Sequence, residues 1–286
     1  MSIVYLNGDY MPAEQAKISP MDRGFLFGDG IYEVVPSYDG KFVGFGPHIE
    51  RMFKGLAAVE IKHDFTVETF KDICDKLCVQ NGKGNLGIYI HISRGADTKR
   101  FHAYPVGIKP TVFAYAFEIP PAPTADISKA KTYKVVSHQD LRWHRCNIKS
   151  TALLGNVMHY QQSHQAGCDE TLLFNDLNEL TEASSCNAFI VKDGVIITPE
   201  LDNQKLPGIT RLVLLDILRQ HSDIQIEERV ITKQEVESAD EIWLTSSTKQ
   251  VGAVIELDGK PVGEGKIGAV WQQAQSLFSA HQFDYN

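Results

Sequence analysis

Four of the six Asn-Gly or Asp-Gly pairs, those set between two strand-like apolar runs, constrain this chain more than any other feature. They are Asn7-Gly8, Asp39-Gly40, Asp193-Gly194 and Asp258-Gly259. The tightest hairpin turns need positive φ at both central residues, which Asn, Asp and Gly tolerate. Antiparallel hairpins are therefore expected after residues 3–6, between 31–35 and 41–45, between 188–191 and 195–198, and after 254–257. Further strands are expected at 86–93, 110–117, 132–137, 170–174 and 241–245. Pro36 removes a ladder donor, so it marks an edge or a bulge. Helix-spaced apolar residues predict helices over 47–60, over 67–80 with a stop at Asn81-Gly82, from Lys149 to about 167, from Leu206 to about 220, and over 270–278. The mixture reads as α/β, of the α+β two-domain kind. Pro120, Pro121 and Pro123 form a stiff linker over 120–125. It divides a small domain, 1–119, from a larger one, 126–286, that carries Lys149.

Several function classes are disfavoured. A formal charge of −8 and a pI near 5.7 oppose general nucleic-acid binding. No GxGxxG or Walker lysine motif points to a nucleotide, and no GxSxG elbow points to a serine hydrolase. The ten histidines lack metal-ligand spacing, so no metal is expected. No run reaches about 18 apolar residues, so no membrane span is expected. The five cysteines are odd in number and contain no CxxC pair. Cys74 and Cys78 share a helix face as buried thiols. A reducing, cytoplasmic setting is expected, and the first residues have neither a basic stretch nor a long apolar run.

The segment Arg145-Cys146-Asn147-Ile148-Lys149-Ser150-Thr151-Ala152-Leu153-Leu154-Gly155 sets a lysine between two ordered elements. Ser150 or Thr151 is expected to cap the helix that follows, with Ala152, Leu153, Leu154, Val157 and Met158 as its apolar face. A lysine so held points its amine in a set direction. Partial desolvation lowers its proton affinity and makes it a nucleophile, as Schiff-base chemistry requires. By itself a lysine is far more often a solvated surface charge. Arg51, in the first turns of a helix, is an exposed charge or a planar fork for phosphate oxygens. Gly208-Ile209-Thr210 opening a helix offers backbone donors, and Ser247 a hydroxyl. Glu182 precedes a Ser-Ser-Cys-Asn turn in a polar connection. Arg100 and His102, two apart in an extended loop, project to one side. Tyr32 and Val34 share one strand face, with Glu33 on the other.

The lysine segment resembles the cofactor-lysine segment of the fold-type IV pyridoxal-phosphate aminotransferases. The similarity runs from about residue 3 to about residue 280 with several motifs in the family's order, and the D-amino-acid transaminase branch is the nearest. The resemblance implies a small N-terminal α/β domain and a larger C-terminal pseudo-barrel α/β domain with pyridoxal 5'-phosphate between them. It also implies a homodimer with active sites near the subunit interface. It makes Lys149 both the Schiff-base residue and the proton-transfer base. It gives the cofactor phosphate to Arg51, Ile209, Thr210 and Ser247, and adds Leu206 and Ser246 to the cofactor set. Glu182 would face the pyridine nitrogen. Tyr32, Arg100 and His102 would trap the substrate carboxylate. Arg142 and Arg145 would steer the cofactor phenolate or pair with neighbouring acids. The implied reaction is D-amino acid plus 2-oxoglutarate or pyruvate giving a 2-oxo acid and D-glutamate or D-alanine. Within the same fold the alternatives are an (R)-amine transaminase, a branched-chain aminotransferase and an aminodeoxychorismate-lyase-like enzyme. A cofactor-free binding protein should lack Lys149 or Glu182.

Overall fold

The computed structural model describes residues 2–82 and 84–286. The chain forms two compact units. Unit 1 comprises Met1–Pro121, Ile148–Leu153 and Phe283–Asn286, and unit 2 comprises Ala122–Asn147 and Leu154–Gln282.

Unit 1 opens with the hairpin of β1 (Ile3–Leu6) and β2 (Asp9–Pro12), turned at Asn7-Gly8 with φ of 51° and 113°. A short helix, α1 (Arg23–Phe27), stands where the sequence suggested a loop. The Asp22 side chain accepts from Gly24 N at its start, and Gly28 ends it in the left-handed region at φ 67°. There follow β3 (Gly30–Tyr38), β4 (Lys41–Phe42), α2 (Phe45–Ala58), α3 (Val67–Gln80), β5 (Asn85–Ser93) and β6 (Thr111–Glu118). The strands make one antiparallel sheet in the order β2-β1-β6-β5-β3-β4. Thr66 and Thr69 cap α3 reciprocally, and the helix stops before Asn81, whose amide donates to the carbonyls of Leu77 and Ile3. Ile31 and Val35 share one buried cluster with Ile49, Met52 and Leu56 of α2 and Phe70 and Leu77 of α3. Burying each such side chain contributes roughly 2 kcal/mol, which fixes the face of β3 and sends Tyr32 and Val34 to the other side.

Pro36 makes no bulge. It lies opposite Gly87 in an unbroken β3–β5 register, and its carbonyl accepts from Val43 N on the side of β4. A strand residue's N–H and C=O point to the same side, so the missing donor also faces the two-residue strand β4.

Unit 2 contains β7 (Thr132–Gln139), α4 (Leu154–Gln165), β8 (Glu170–Phe174), β9 (Leu180–Ala183), β10 (Asn187–Lys192), β11 (Val195–Thr198), α5 (Ile209–His221), β12 (Ile226–Glu228), α6 (Lys233–Glu237), β13 (Glu241–Ser246), β14 (Gln250–Leu257), β15 (Lys260–Pro261) and α7 (Ala269–His281). Its nine-stranded sheet follows β12-β11-β10-β13-β14-β7-β8-β9, with β15 on β14, and curls into a half-barrel. Parallel pairs (β7 with β8 and with β14, β11 with β12) sit among antiparallel ones. Leu172, Leu180, Ile190, Ile242 and Val254 lie in one core cluster, and Trp243, Trp271 and Phe278 are also fully buried.

Three further sequence expectations change. The segment Ile148–Leu153, expected in the larger domain, belongs to unit 1 because it pairs with β3. Tyr32 N donates to Lys149 O, Thr151 N donates to Gly30 O, and Ser150 bridges Ile31. The helix after Lys149 consequently starts at Leu154, and Thr151 Oγ1 donates to Gly28 O instead of capping it. The supposed polar connection around Glu182 contains β9, all four residues of which are buried. Among the described residues no helix is long and apolar enough to cross a membrane.

Candidate active site

In unit 1, the pairing of Ile148–Leu153 with β3 fixes the backbone of Lys149. Its Nζ stands 4.1 Å from the centroid of the Tyr32 ring. Among the described residues that amine makes no hydrogen bond or ion pair. A cation over an aromatic face is worth about 1 kcal/mol at a partly exposed site, so the ring orients the amine without consuming it. Tyr32 stacks in turn on Tyr89 at 5.6 Å, and the Tyr89 hydroxyl meets His91 Nδ1 at 3.1 Å. Burial raises the Tyr89 phenol above its ordinary range, so it remains a neutral hydrogen-bonding group.

On the helix side of the same strand, Glu33 is fully buried. Arg51 Nε and Nη2 each donate to it at 2.7 Å, and His48 Nδ1 lies 2.7 Å away. Burial alone would raise the Glu33 carboxyl, but the Arg51 and His48 charges overcome it and hold the carboxyl well below the usual range. Arg51 is thus no solvated charge: Glu33 fixes the plane of its guanidinium.

The loop after β5 carries Arg100 and His102. Both lie against Phe27, the guanidinium 5.0 Å and the imidazole 5.4 Å from its ring, so they do project to one side. Both are exposed, as is Phe101. No hydrogen bond, ion pair or ring contact among the described residues joins either of them to Tyr32 or Lys149.

Unit 2 holds the remaining candidates. Glu182, on β9, accepts from Arg142 Nη1 at 2.6 Å, Asn187 Nδ2 at 3.0 Å and Leu206 N at 3.0 Å. Arg142 also forks onto Asp140, with Nε at 2.9 Å and Nη2 at 2.7 Å. One guanidinium therefore serves two carboxylates, and the buried cluster carries a surplus negative charge when both are ionised. The protonation tendencies follow. Burial raises the Glu182 carboxyl above its usual range, and the shared Arg142 charge only partly opposes this. The Arg142 guanidinium, flanked by two acids, is strengthened as a cation despite burial.

Helix α5 begins at Ile209 with Gly208 as its N-cap, and no side chain caps it. The first amides of a helix lack internal acceptors and favour an anion. Gly208 is required for close approach, because a Cβ there would fall 2.0 Å from Asn187 Oδ1. Asn187 thus ties the Glu182 carboxylate to the start of α5, and its Nδ2 also donates to Leu206 O at 2.9 Å. Ser246 and Ser247 lie where β13 turns toward β14, next to Thr245, whose buried Oγ1 has no hydrogen-bond partner among the described residues. Among the described residues no group of three or more His, Cys, Asp or Glu could hold a metal ion.

The structure brings Lys149 together with Tyr32, and Glu182 with Leu206 and the start of α5. Sequence reasoning left Arg142 open and did not single out Asp140, Asn187 or Glu33. The alternation around Tyr32 put Glu33 on the opposite strand face without saying which face is core; the fold buries Glu33, and a buried carboxylate needs a cationic partner. Asp140 lies two residues before Arg142 and Asn187 five after Glu182, but no local pattern shows that Arg142 joins Asp140 to Glu182, 40 residues away. Arg145 is exposed and separates cleanly from Arg142.

The family model for amino-transferase class IV matches residues 30–257. A D-alanine aminotransferase of Staphylococcus haemolyticus is 35% identical over 282 residues, covering 98% of each chain. One of Listeria innocua is 32% identical over 277 residues, covering 96% of this chain and 94% of the relative. Among solved structures, a branched-chain amino acid aminotransferase of Escherichia coli matches with a TM-score of 0.90 at 21% identity, covering 100% of this chain and 96% of the other. The chain belongs to the class IV aminotransferases.

Proposed function

We propose that this enzyme transfers the amino group of D-amino acids to a 2-oxo acid with pyridoxal 5'-phosphate as cofactor. The similarity to D-alanine aminotransferases along nearly the whole chain supports the substrate class. The branched-chain neighbours, at 21% identity, share the fold alone. The observation that carries the chemistry is the Lys149 amine, set on the Tyr32 ring with no counter-ion among the described residues.

The residues fit the cofactor. The surplus negative charge of Asp140, Arg142 and Glu182 suits a protonated pyridine nitrogen. The uncapped start of α5 and the orphaned Thr245 hydroxyl beside Ser246 and Ser247 suit a phosphate. Bound pyridoxal 5'-phosphate supplies an electrophilic carbonyl and a ring that draws electrons from the substrate α-carbon. The rest falls to the chain. Lys149 Nζ would hold the cofactor and, once the substrate amine has taken its place there, would as a free amine move the α-proton. Glu182 keeps the ring nitrogen protonated, while Arg142, Asn187 and Leu206 N hold its two oxygens. Ile209 and Thr210 amides, the Thr210 and Ser247 hydroxyls, Ser246 and Arg51 hold the phosphate dianion, with Glu33 orienting Arg51. Tyr32, Arg100 and His102 bind the substrate carboxylate and thereby select which enantiomer presents its α-hydrogen.

The assembly in this reading is a homodimer, with the Arg100 loop serving the neighbouring subunit's site. Helix α4 supports it. Leu154, Val157 and Met158 lie on one face and are 73%, 59% and 62% exposed, an apolar surface that a lone subunit leaves in water. The five free cysteines accord with a reducing, cytoplasmic setting. The test is a half-reaction with purified holoenzyme, followed by cofactor absorbance, using D-alanine and L-alanine separately. Conversion by the D-enantiomer alone is expected; conversion by the L-enantiomer would overturn the substrate class.

A further inference from the structure

The loop that carries Arg100 and His102 is exposed along most of its length, yet a buried ion cluster behind it reaches its backbone. Asp29 sits in the turn before β3 and receives two guanidinium groups. Arg23 Nε donates to Oδ2 at 2.8 Å. Arg94 donates through Nε to Oδ2 at 2.7 Å and through Nη2 to Oδ1 at 2.9 Å. Arg23 and Arg94 are 3% and 6% exposed. Burial would raise the Asp29 carboxyl, but bonds from Arg94 and Arg23 hold it below its usual range.

Two cations on one carboxylate leave donors to place, and their destinations are specific. Arg23 Nη1 donates to Phe101 O at 2.5 Å and Nη2 to His102 O at 3.2 Å. Arg94 Nη1 donates to Glu60 O at 3.0 Å and Nη2 to Val59 O at 2.6 Å, where α2 ends and its carbonyls lack internal donors. The Arg94 guanidinium also lies 3.6 Å from the ring centroid of Tyr104, further along the loop. The Arg23 guanidinium rests 4.8 Å from the Phe27 ring that carries Arg100 and His102. One carboxylate therefore aims two rigid forks, and the loop is held at its 101–102 carbonyls and at Tyr104. A lysine could not do this, because it lacks the planar fork that grips carboxylate and carbonyl together.

We propose that Asp29, Arg23 and Arg94 are positioning residues for substrate recognition: they clamp the Arg100–His102 loop in the conformation that presents both side chains. The recognition half of this statement rests on the carboxylate-binding reading above; the clamp itself does not. The clamp sets a Michaelis constant, since a loose loop must be ordered each time a substrate carboxylate binds.

The test uses the holoenzyme and Arg23→Gln, with Asp29→Asn and Tyr104→Leu alongside. Trypsin cleaves after Lys99 and Arg100, and the products are mapped by mass and compared with cleavage after the exposed Lys129. In Arg23→Gln, cleavage at 99–100 should accelerate about tenfold over the parent while Lys129 is unaffected, because proteolysis tracks the open population of the loop. KM for D-alanine should rise about tenfold with kcat within about threefold, whereas general misfolding lowers kcat through loss of active enzyme. If Asp29→Asn does not fold, Tyr104→Leu, which leaves the ion cluster intact, should still accelerate cleavage. Unchanged cleavage in Arg23→Gln and Tyr104→Leu overturns the clamp. Faster cleavage with unchanged KM, while Arg100→Ala raises KM, overturns the positioning role. An Arg100→Ala enzyme with unchanged KM overturns the carboxylate-binding reading instead, and leaves the clamp to be judged on cleavage.

Discussion

Replacing Arg142 by methionine keeps most of the side-chain length and removes the guanidinium shared by Asp140 and Glu182. These side chains are 3%, 9% and 6% exposed, so both carboxylates lose their cation in a largely dehydrated cluster. Removing one partner of a buried ion pair costs about 3–5 kcal/mol. Glu182 retains Asn187 Nδ2 and Leu206 N, and Asp140 retains the Thr181 hydroxyl, which favours the lower end, about 3 kcal/mol. For a domain of this size that lowers Tm by roughly 6–12 °C. The pH dependence has a definite sign. Without Arg142 both carboxyls have folded pKa values raised above their unfolded ones. Such groups stabilise the fold below the unfolded pKa, and that contribution is lost as pH rises through the folded value. The deficit relative to the parent should be largest near pH 8 and narrow as pH falls, closing only below about pH 4, because, against burial, Arg142 holds the parent's Asp140 carboxyl under its usual range. Urea unfolding at several pH values measures it, read through Trp243 and Trp271, both buried in unit 2. The exposed Arg145→Met is the control and should stay within about 0.5 kcal/mol of the parent. A deficit under about 1 kcal/mol, or one that does not narrow as pH falls, would refute the shared-charge reasoning.

Arg51→Ala should weaken retention of cofactor on dialysis and also leave Glu33 with His48 alone; full retention after exhaustive dialysis removes Arg51 from the phosphate set. Arg100→Ala should lower kcat/KM for D-alanine by a factor equivalent to about 2–3 kcal/mol and harm a simple (R)-amine far less. Equal losses for both would favour the amine-transaminase alternative. Met158→Glu, on the exposed face of α4, should shift sedimentation from dimer toward monomer, and an unchanged dimer would move the interface elsewhere.

The fold was largely legible because its signals are local. Asn7-Gly8, Asp193-Gly194 and Asp258-Gly259 mark hairpins through the φ they permit, and the Thr66 cap and Asn81-Gly82 stop bound α3 as expected. What escaped depends on partners distant in sequence. The residues of β9 look polar, yet Glu182 is buried because Arg142, 40 residues away, meets its charge, with Asn187 on the next strand donating beside it. Ser150 and Thr151 resemble helix caps but serve β3 instead, since pairing with Gly30 and Ile31 satisfies their backbone. Arg51 stood out as a candidate phosphate-binding cation, but not as Glu33's partner, because strand and helix meet only in the folded chain. Lys149 stood out through the resemblance of its surrounding motif; the Tyr32 ring beneath its amine required the fold.

The central claim is that Lys149 carries the cofactor and moves the proton. Borohydride reduction of purified holoenzyme, followed by digestion and mass mapping, tests it directly. The account predicts the reduced cofactor on the peptide containing Lys149, and no such adduct in Lys149→Ala. An adduct on another lysine, such as Lys249 after the Ser246–Ser247 turn, would contradict it.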